Sequence, residues 1–139
     1  MTETRAIGVD IGGSHITAAT IDLNEKCILF PTITRASVNA RAGADDVISA
    51  WCRVIAKCQQ ISGAPIKIGI AMPGPFDYEQ GIAYMQEQNK YASLYGLNVK
   101  NLLSEKLSIS PENISFTNDA ACFLIGGVFG GAGPECSKV

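Results

Sequence analysis

The stretch Gly8-Val9-Asp10-Ile11-Gly12-Gly13-Ser14-His15 decides the fold, because it joins two runs that both read as β-strand. Arg5 to Val9 reads as a short buried strand, and Ile16 to Asp22 is rich in β-branched residues with neither Gly nor Pro. A tight strand-to-strand turn is expected between them. Its adjacent glycines, Gly12 and Gly13, remove the Cβ atoms that would hold a polyphosphate away from the backbone. The N–H groups around Gly12, Gly13 and Ser14 can then point at anionic oxygens, with the Ser14 hydroxyl as a further donor. Asp10 would repel a phosphate unless a divalent cation or its water shell lay between them. Magnesium suits that role, since it prefers oxygen ligands and keeps several waters. Taken alone, the segment fits an ordinary glycine hairpin with a surface aspartate equally well.

Better-known phosphate loops are excluded by spacing. The dinucleotide fingerprint needs G-x-G-x-x-G opening a helix, whereas here a strand follows. The Walker loop needs a Gly-Lys-Ser/Thr ending, which this stretch lacks.

The chain has 139 residues, 47% apolar and 17% charged, which describes one globular domain with a core of ordinary size. A net charge of −2 with scattered cations gives no basic stripe for a nucleic-acid backbone. No apolar run approaches the roughly 20 residues that span a bilayer, and the amino terminus has no signal-peptide apolar region. The expectation is a cytoplasmic protein without nucleic-acid or membrane partners. Cys27, Cys52, Cys58, Cys122 and Cys136 are widely spaced and include no C-x-x-C pair, which supports neither a disulfide framework nor a metal site. Cys52 and Cys58 fall in a helical pattern and read as small buried hydrophobes. The single histidine, His15, lies inside the glycine turn, so a nucleophilic triad is set aside.

Beyond the second strand, Cys27 to Phe30 reads as a third strand interrupted by Pro31, completing an antiparallel meander. Residues 35 to 45 read as a loop, and Val47, Trp51, Val54, Ile55 and Cys58 recur at helical spacing. Asp45-Asp46 suits the helix start, Gly63 its end, and Trp51 its core face. Ile66 to Met72 is another strand, stopped by Pro73-Gly74-Pro75, after which a loop carries Asp77, Gly81, Gln86, Glu87, Asn89 and Lys90. Asn98 caps a helix containing Val99, Leu102, Leu103 and Leu107. Ile114 to Thr117 is a strand leading into Asn118-Asp119, and Ala120 to Phe129 reads as a buried helix. The order predicts an α/β domain with a mixed sheet, an antiparallel three-strand meander followed by parallel crossovers.

Asp10 with the glycines, Pro73-Gly74-Pro75 and Asn118-Asp119 each follow a predicted strand, and ligands of open α/β sheets bind beyond the carboxyl ends of strands. Asp119 is the expected general base, since a helix amino terminus favours its ionised form and a carboxylate there accepts a hydroxyl proton. Each feature alone has a plainer reading: Asn118-Asp119 as a helix cap, the proline tripeptide as a strand-ending turn, and Gln86, Glu87, Asn89 and Lys90 as a solvated loop.

Together the motifs resemble the ROK family (repressor, open reading frame, kinase), within the superfamily sharing the actin and hexokinase ATPase fold. Val9 to Ile16 resembles its first phosphate motif, Gly69 to Asp77 its sugar-side loop, and Thr117-Asn118-Asp119-Ala120-Ala121 the segment with its catalytic aspartate. The resemblance implies a ribonuclease H-like or actin-like ATPase lobe. It implies that Asp119 deprotonates the acceptor hydroxyl, and that Asn118, Glu87 and the backbone near Gly74 contact the sugar. Asp10, Gly12, Gly13 and Ser14 would hold the ATP phosphates and magnesium, Asp10 through water. Family members often carry Thr-Lys where this chain has Ser14-His15.

By the same resemblance, residues 1–139 make the amino-terminal lobe of a two-lobed sugar kinase of glucokinase or N-acetylhexosamine kinase type. The second phosphate motif, the adenosine segment, a sugar-contacting glutamate and histidine, and the zinc site of many members would belong to the other lobe. The lobe alone is then expected to have little or no activity, and the full-length protein to be a homodimer. The alternative is a sugar-responsive regulator or binding module of the same fold without turnover. ROK repressors usually carry a helix-turn-helix ahead of the hairpin, and its early start here argues against one.

Overall fold

The computed structural model describes residues 5–22, 27–62, 67–86 and 91–118. Strands β1 (Arg5–Ile11), β2 (His15–Asp22) and β3 (Cys27–Ser37) form the expected meander. Helix α1 (Ala44–Ser62) leads to β4 (Ile68–Ala71), which returns parallel to β1. A small hairpin, β5 (Phe76–Asp77) with β6 (Ile82–Ala83), precedes α2 (Val99–Leu107), and β7 (Ile114–Thr117) then lies parallel to β4. The main sheet has the order β3-β2-β1-β4-β7. The mixed α/β class is therefore as expected. Gly63, Glu87, Asn89, Lys90 and the helix expected from Ala120 to Phe129, Asp119 included, lie outside the described residues.

Alternation along β1 sends Ile7, Val9 and Ile11 into one core and turns Ala6, Gly8 and Asp10 to the other face. The first set packs with Ile16, Ala18, Ile68, Ile70, Met72 and Phe116 and with Val47, Trp51, Val54, Ile55 and Cys58 of α1. Burial of each large aliphatic chain contributes about 1.5–3 kcal/mol, so this face fixes the register. Asp45 and Asp46 stand in the first turn of α1, where its amide dipoles favour anions. Trp51 is fully buried, and Cys52 and Cys58 are buried thiols, with Cys58 Sγ 3.7 Å from Thr20 Oγ1. Burial pushes the Cys52 thiol up to about 11, against a weaker opposing effect of Lys106, which suits a packing role rather than a nucleophile. No helix among the described residues is long and apolar enough to cross a membrane.

Two local expectations need correction. Pro31 does not end β3, which runs on through Arg35 to Ser37, residues expected in a loop. The β2–β3 register shifts between Ala18, opposite Thr34, and Thr20, opposite Leu29. An irregularity on an edge strand accommodates a residue that cannot donate to the ladder. The segment after Pro75 also carries the β5–β6 hairpin instead of a plain loop. Asp77 Oδ1 accepts from the amides of Glu79 (3.1 Å) and Gln80 (2.9 Å), closing its turn.

Gly81 and Asn98 then fasten α2. The Gly81 carbonyl accepts from Val99 N at 2.7 Å, and Asn98 Oδ1 caps the helix by accepting from Asn101 N at 2.9 Å. Gly81 has a φ of +81°, and a Cβ there would sit 2.5 Å from Lys100 Cβ and 3.2 Å from Lys100 N. Gly81→Ala is expected to cost about 1–3 kcal/mol, measured as a lowered urea midpoint with an unchanged m-value.

Candidate functional site

Parallel pairing brings the ends of three strands to one edge of the sheet. Asp10 is in register with Ala71, and Ala71 with Thr117. On the other side Asp10 pairs with Thr17, and Thr17 with Arg35. Arg35, Thr17, Asp10, Ala71 and Thr117 therefore form one row across the sheet, on the face opposite Val9 and Ile11. Neighbouring strands lie about 4.8 Å apart, so Asp10 and Thr117 stand within the reach of a small phosphorylated ligand. The glycine hairpin leaves from β1, Pro73-Gly74-Pro75 from β4 and Asn118 from β7, all at this edge.

Asp10 is partly buried, and burial raises its pKa above the usual carboxylate value. Arg35, then His15, oppose that shift by attraction. Loss of hydration leaves this carboxylate better satisfied by a cation than by its protein surroundings. The described residues contain no group of three or more potential metal ligands. A magnesium ion bound mainly by phosphate oxygens and water needs only one or two carboxylates, and Asp10 fits that requirement.

The hairpin differs from expectation at one amide. Gly12 N–H donates to His15 O at 2.9 Å, closing the turn, and so does not face outward. The Ser14 carbonyl is held by Val38 N at 2.8 Å, and the Gly12 carbonyl by the Tyr91 hydroxyl at 2.5 Å. Gly13 and Ser14 are exposed, and among the described residues their amides take no partner, which leaves these two as the outward donors. The Ser14 hydroxyl lies 3.3 Å from His15 Nδ1, so the ring sits beside the turn.

A Cβ on Gly13 would meet nothing within 4 Å, and one on Gly12 only His15 atoms at 3.7 Å and 3.9 Å. Neither glycine has a positive φ. The fold thus has room for a side chain at either position, unlike at Gly81. A bare backbone at an exposed turn that the protein itself does not require suits the close approach of an external group.

On the neighbouring loop, a Cβ on Gly74 would lie 3.3 Å from the Tyr78 hydroxyl, which donates to Met72 O at 2.8 Å. Met72 N donates to Thr117 O at 2.8 Å, which draws the Pro73-Gly74 backbone beside the exposed Asn118. Phe76 stacks against Tyr78 and Phe116, centroids 5.3 and 4.9 Å apart, and anchors the far end of the loop. Asp10, Gly12, Gly13, Ser14, Gly74 and Asn118 are thus gathered at one edge. Glu87 and Asp119 lie outside the described residues. Tyr91, Tyr78 and Arg35 are neighbours of the site that the sequence reading missed. Arg35 was read as the start of a loop, so its place in the row opposite Thr17 appears only once β3 is seen to continue.

A family model described as ROK family matches residues 6–139. Among solved structures, the chain is similar to the inorganic polyphosphate/ATP-glucomannokinase from Arthrobacter sp. strain KM, with 25% identity, a TM-score of 0.72, and coverage of 94% of this chain and 50% of that one. It shares the fold of a ROK family glucokinase from Streptomyces griseus in complex with glucose and AMPPNP, at 24% identity, TM-score 0.66, and coverage of 92% and 37%. It also shares the fold of a ROK family transcriptional regulator, a homologue of the E. coli MLC protein, at 20% identity, TM-score 0.63, and coverage of 83% and 28%. The chain thus spans half or less of the length of these structures. No curated protein matches it at a significant level.

Two outcomes follow for the hairpin. Gly13→Ala is expected to leave thermal stability unchanged or raise it by up to about 1 kcal/mol, while weakening magnesium–nucleotide binding in titration calorimetry. For Asp10, burial raises the folded-state pKa above the unfolded value. The stability tied to its protonated form is complete below the unfolded pKa and is lost as pH rises through the raised folded one. Asp10→Asn should therefore melt above the wild type at neutral pH without ligand, and the difference should close as pH falls through the carboxylate range.

Proposed function

The chain belongs to the ROK family, and from that premise we propose that the whole protein transfers a phosphoryl group from ATP to a hydroxyl of a hexose or N-acetylhexosamine, with this chain as the first of two lobes. The observation that supports this best is the row formed by Asp10, Ala71 and Thr117, which starts the phosphate hairpin, the Pro73-Gly74-Pro75 loop and the Asn118 segment from one edge. A sheet edge of this kind lets one loop hold a donor and another an acceptor a few ångströms apart.

In this reading the amides of Gly13 and Ser14 and the Ser14 hydroxyl bind phosphate oxygens, and Gly12 shapes the turn. Asp10 holds magnesium through water, and the ion supplies charge neutralisation on the phosphates when bound. Asn118, the backbone at Gly74 and Glu87 position sugar hydroxyls. Asp119 accepts the proton of the attacking hydroxyl. Phosphoryl transfer leaves little covalent chemistry for the protein, so positioning and charge stabilisation carry the rate. Closure of a second lobe would exclude water and complete the site, so the lobe alone binds sugar and nucleotide weakly and turns over little.

A second reading has its own support, since the fold is shared with a transcriptional regulator as well as with kinases. A binding module would keep the sugar contacts without turnover. A coupled phosphorylation assay of the full-length protein over a panel of hexoses and N-acetylhexosamines separates the two. The kinase reading expects ATP-dependent activity that falls by about 10²–10⁴ in Asp119→Asn, with sugar binding retained by calorimetry. Undiminished activity in that variant would remove Asp119 from the chemistry. A wild type that binds sugar without turnover would favour the regulator.

A further inference from the structure

Tyr91 is an unusual residue for a surface turn. It is fully buried, and its backbone is left-handed, with φ 62° and ψ 41°, a conformation that a bulky side chain adopts only when its surroundings impose it. Its hydroxyl donates to the Gly12 carbonyl across 79 positions of sequence. Its ring meets Trp51 edge-on, with centroids 5.1 Å apart and planes at 67°. The buried Trp51 Nε1 has no hydrogen-bond partner among the described residues. Burial pushes the Tyr91 hydroxyl pKa up, while the Trp51 N–H acts against that shift. That contact falls short of hydrogen-bond geometry and acts as a dipole on the oxygen. The hydroxyl therefore stays protonated and keeps donating to Gly12.

The backbone around Tyr91 is tied on both sides. Its amide donates to Ala40 O at 3.1 Å, and Ser93 Oγ donates to Ala42 O at 2.7 Å, which fastens the turn to the β3–α1 connection. Leu94 N donates to Tyr91 O, Gly96 N to Ala83 O at 2.7 Å, and Tyr84 N to Pro75 O at 3.0 Å. A continuous run of short bonds thus leads from the Pro73-Gly74-Pro75 loop to the carbonyl under the glycine turn. The same carbonyl belongs to the peptide that carries Gly13 N–H, so whatever fixes the Gly12 carbonyl also aims that donor.

We propose that Tyr91 is a positioning residue for the glycine hairpin: its hydroxyl, backed by Trp51, orients the Gly12–Gly13 peptide so that the Gly13 amide meets a nucleotide phosphate, and it ties that hairpin to the sugar-side loop. This rests on the phosphotransfer reading of the hairpin. It predicts that sugar and nucleotide strengthen each other's binding through Tyr91, since one rigid path touches both loops.

The test uses the full-length protein as wild type and as Tyr91→Phe, which keeps the ring and removes the donor. Trp51→Phe serves as the second variant, and thermal melts check folding. Tyr91→Phe is expected to speed amide exchange at Gly12 and Val38, whose N–H groups close the turn onto His15 O and Ser14 O, by about tenfold, and to raise KM for ATP about three- to tenfold, with kcat less affected. It should also shrink the gain in nucleotide affinity that a saturating hexose gives. Unchanged exchange at Gly12 and Val38 would overturn the proposal, and so would faster exchange with KM for ATP kept within twofold. If the wild type phosphorylates no sugar, the kinase reading fails separately, and the exchange rates at Gly12 and Val38 still decide whether Tyr91 orients the turn.

Discussion

The parallel alignment of β1, β4 and β7 determines where every polar feature of this chain lies. Side chains alternate along a strand, so slipping β1 by one residue against its neighbours would carry Asp10 into the core beneath α1 and turn Ile7, Val9 and Ile11 onto the opposite face. Those aliphatic chains, with Ile68, Ile70 and Phe116 opposite, stabilise the correct register by several kcal/mol at about 1.5–3 kcal/mol per side chain. The apolar face therefore does more than hold the domain together. It places a carboxylate, a threonine and three loop origins in line on the other face. That face is built small around Asp10, with Ala6, Gly8, Gly69 and Ala71, which keeps bulk away from the row.

Several features of the same edge cost stability. Asp10 is an incompletely hydrated carboxylate, its burial outweighing the attraction of Arg35 and His15. Tyr91 holds a left-handed backbone so that its hydroxyl reaches Gly12. Gly12 and Gly13 give up conformational entropy in the unfolded chain without needing either the space or a positive φ. Gly81 is different, because the protein's own atoms leave no room there for a side chain. The contrast separates glycine as architecture from glycine as an opening for a ligand. Costs gathered at one edge are the pattern expected where binding shapes the choice of residues.

Much of this architecture was legible because local chemistry and core periodicity agree. Asp45-Asp46 at the start of α1, Asn98 capping α2, and the short buried strand from Arg5 to Val9 each depend on residues a few positions apart, and each appears where it was read. What was not legible depends on distant partners. Pro31 reads as an interruption until the shifted β2–β3 register is known. The β5–β6 strands are two residues each, too short for any periodicity to register. The inward turn of the Gly12 amide, and the reach of Tyr91 to Gly12 from 79 positions away, leave no trace in neighbouring sequence. Asp119 and Glu87, the residues on which the chemistry was staked, were read from motif resemblance and adjoin the described residues without belonging to them.

The hairpin as folded has a narrower chemical capacity than its glycines alone suggest, and this bears on how such a site would work. With Gly12 N–H spent on His15 O, the outward donors among the described residues are two amides and one hydroxyl, with Arg35 along the row and His15 in the turn beside them. Two amides and a hydroxyl hold one phosphate group well, but leave most of the charge of a triphosphate uncompensated. In the proposed reading the balance comes from a divalent cation at Asp10 and from groups beyond the described residues, so a nucleotide would bind this surface weakly until a second surface met it. Affinity that depends on two surfaces meeting couples binding to closure. Closure then excludes water at the stage when a phosphoryl group would otherwise be lost to it.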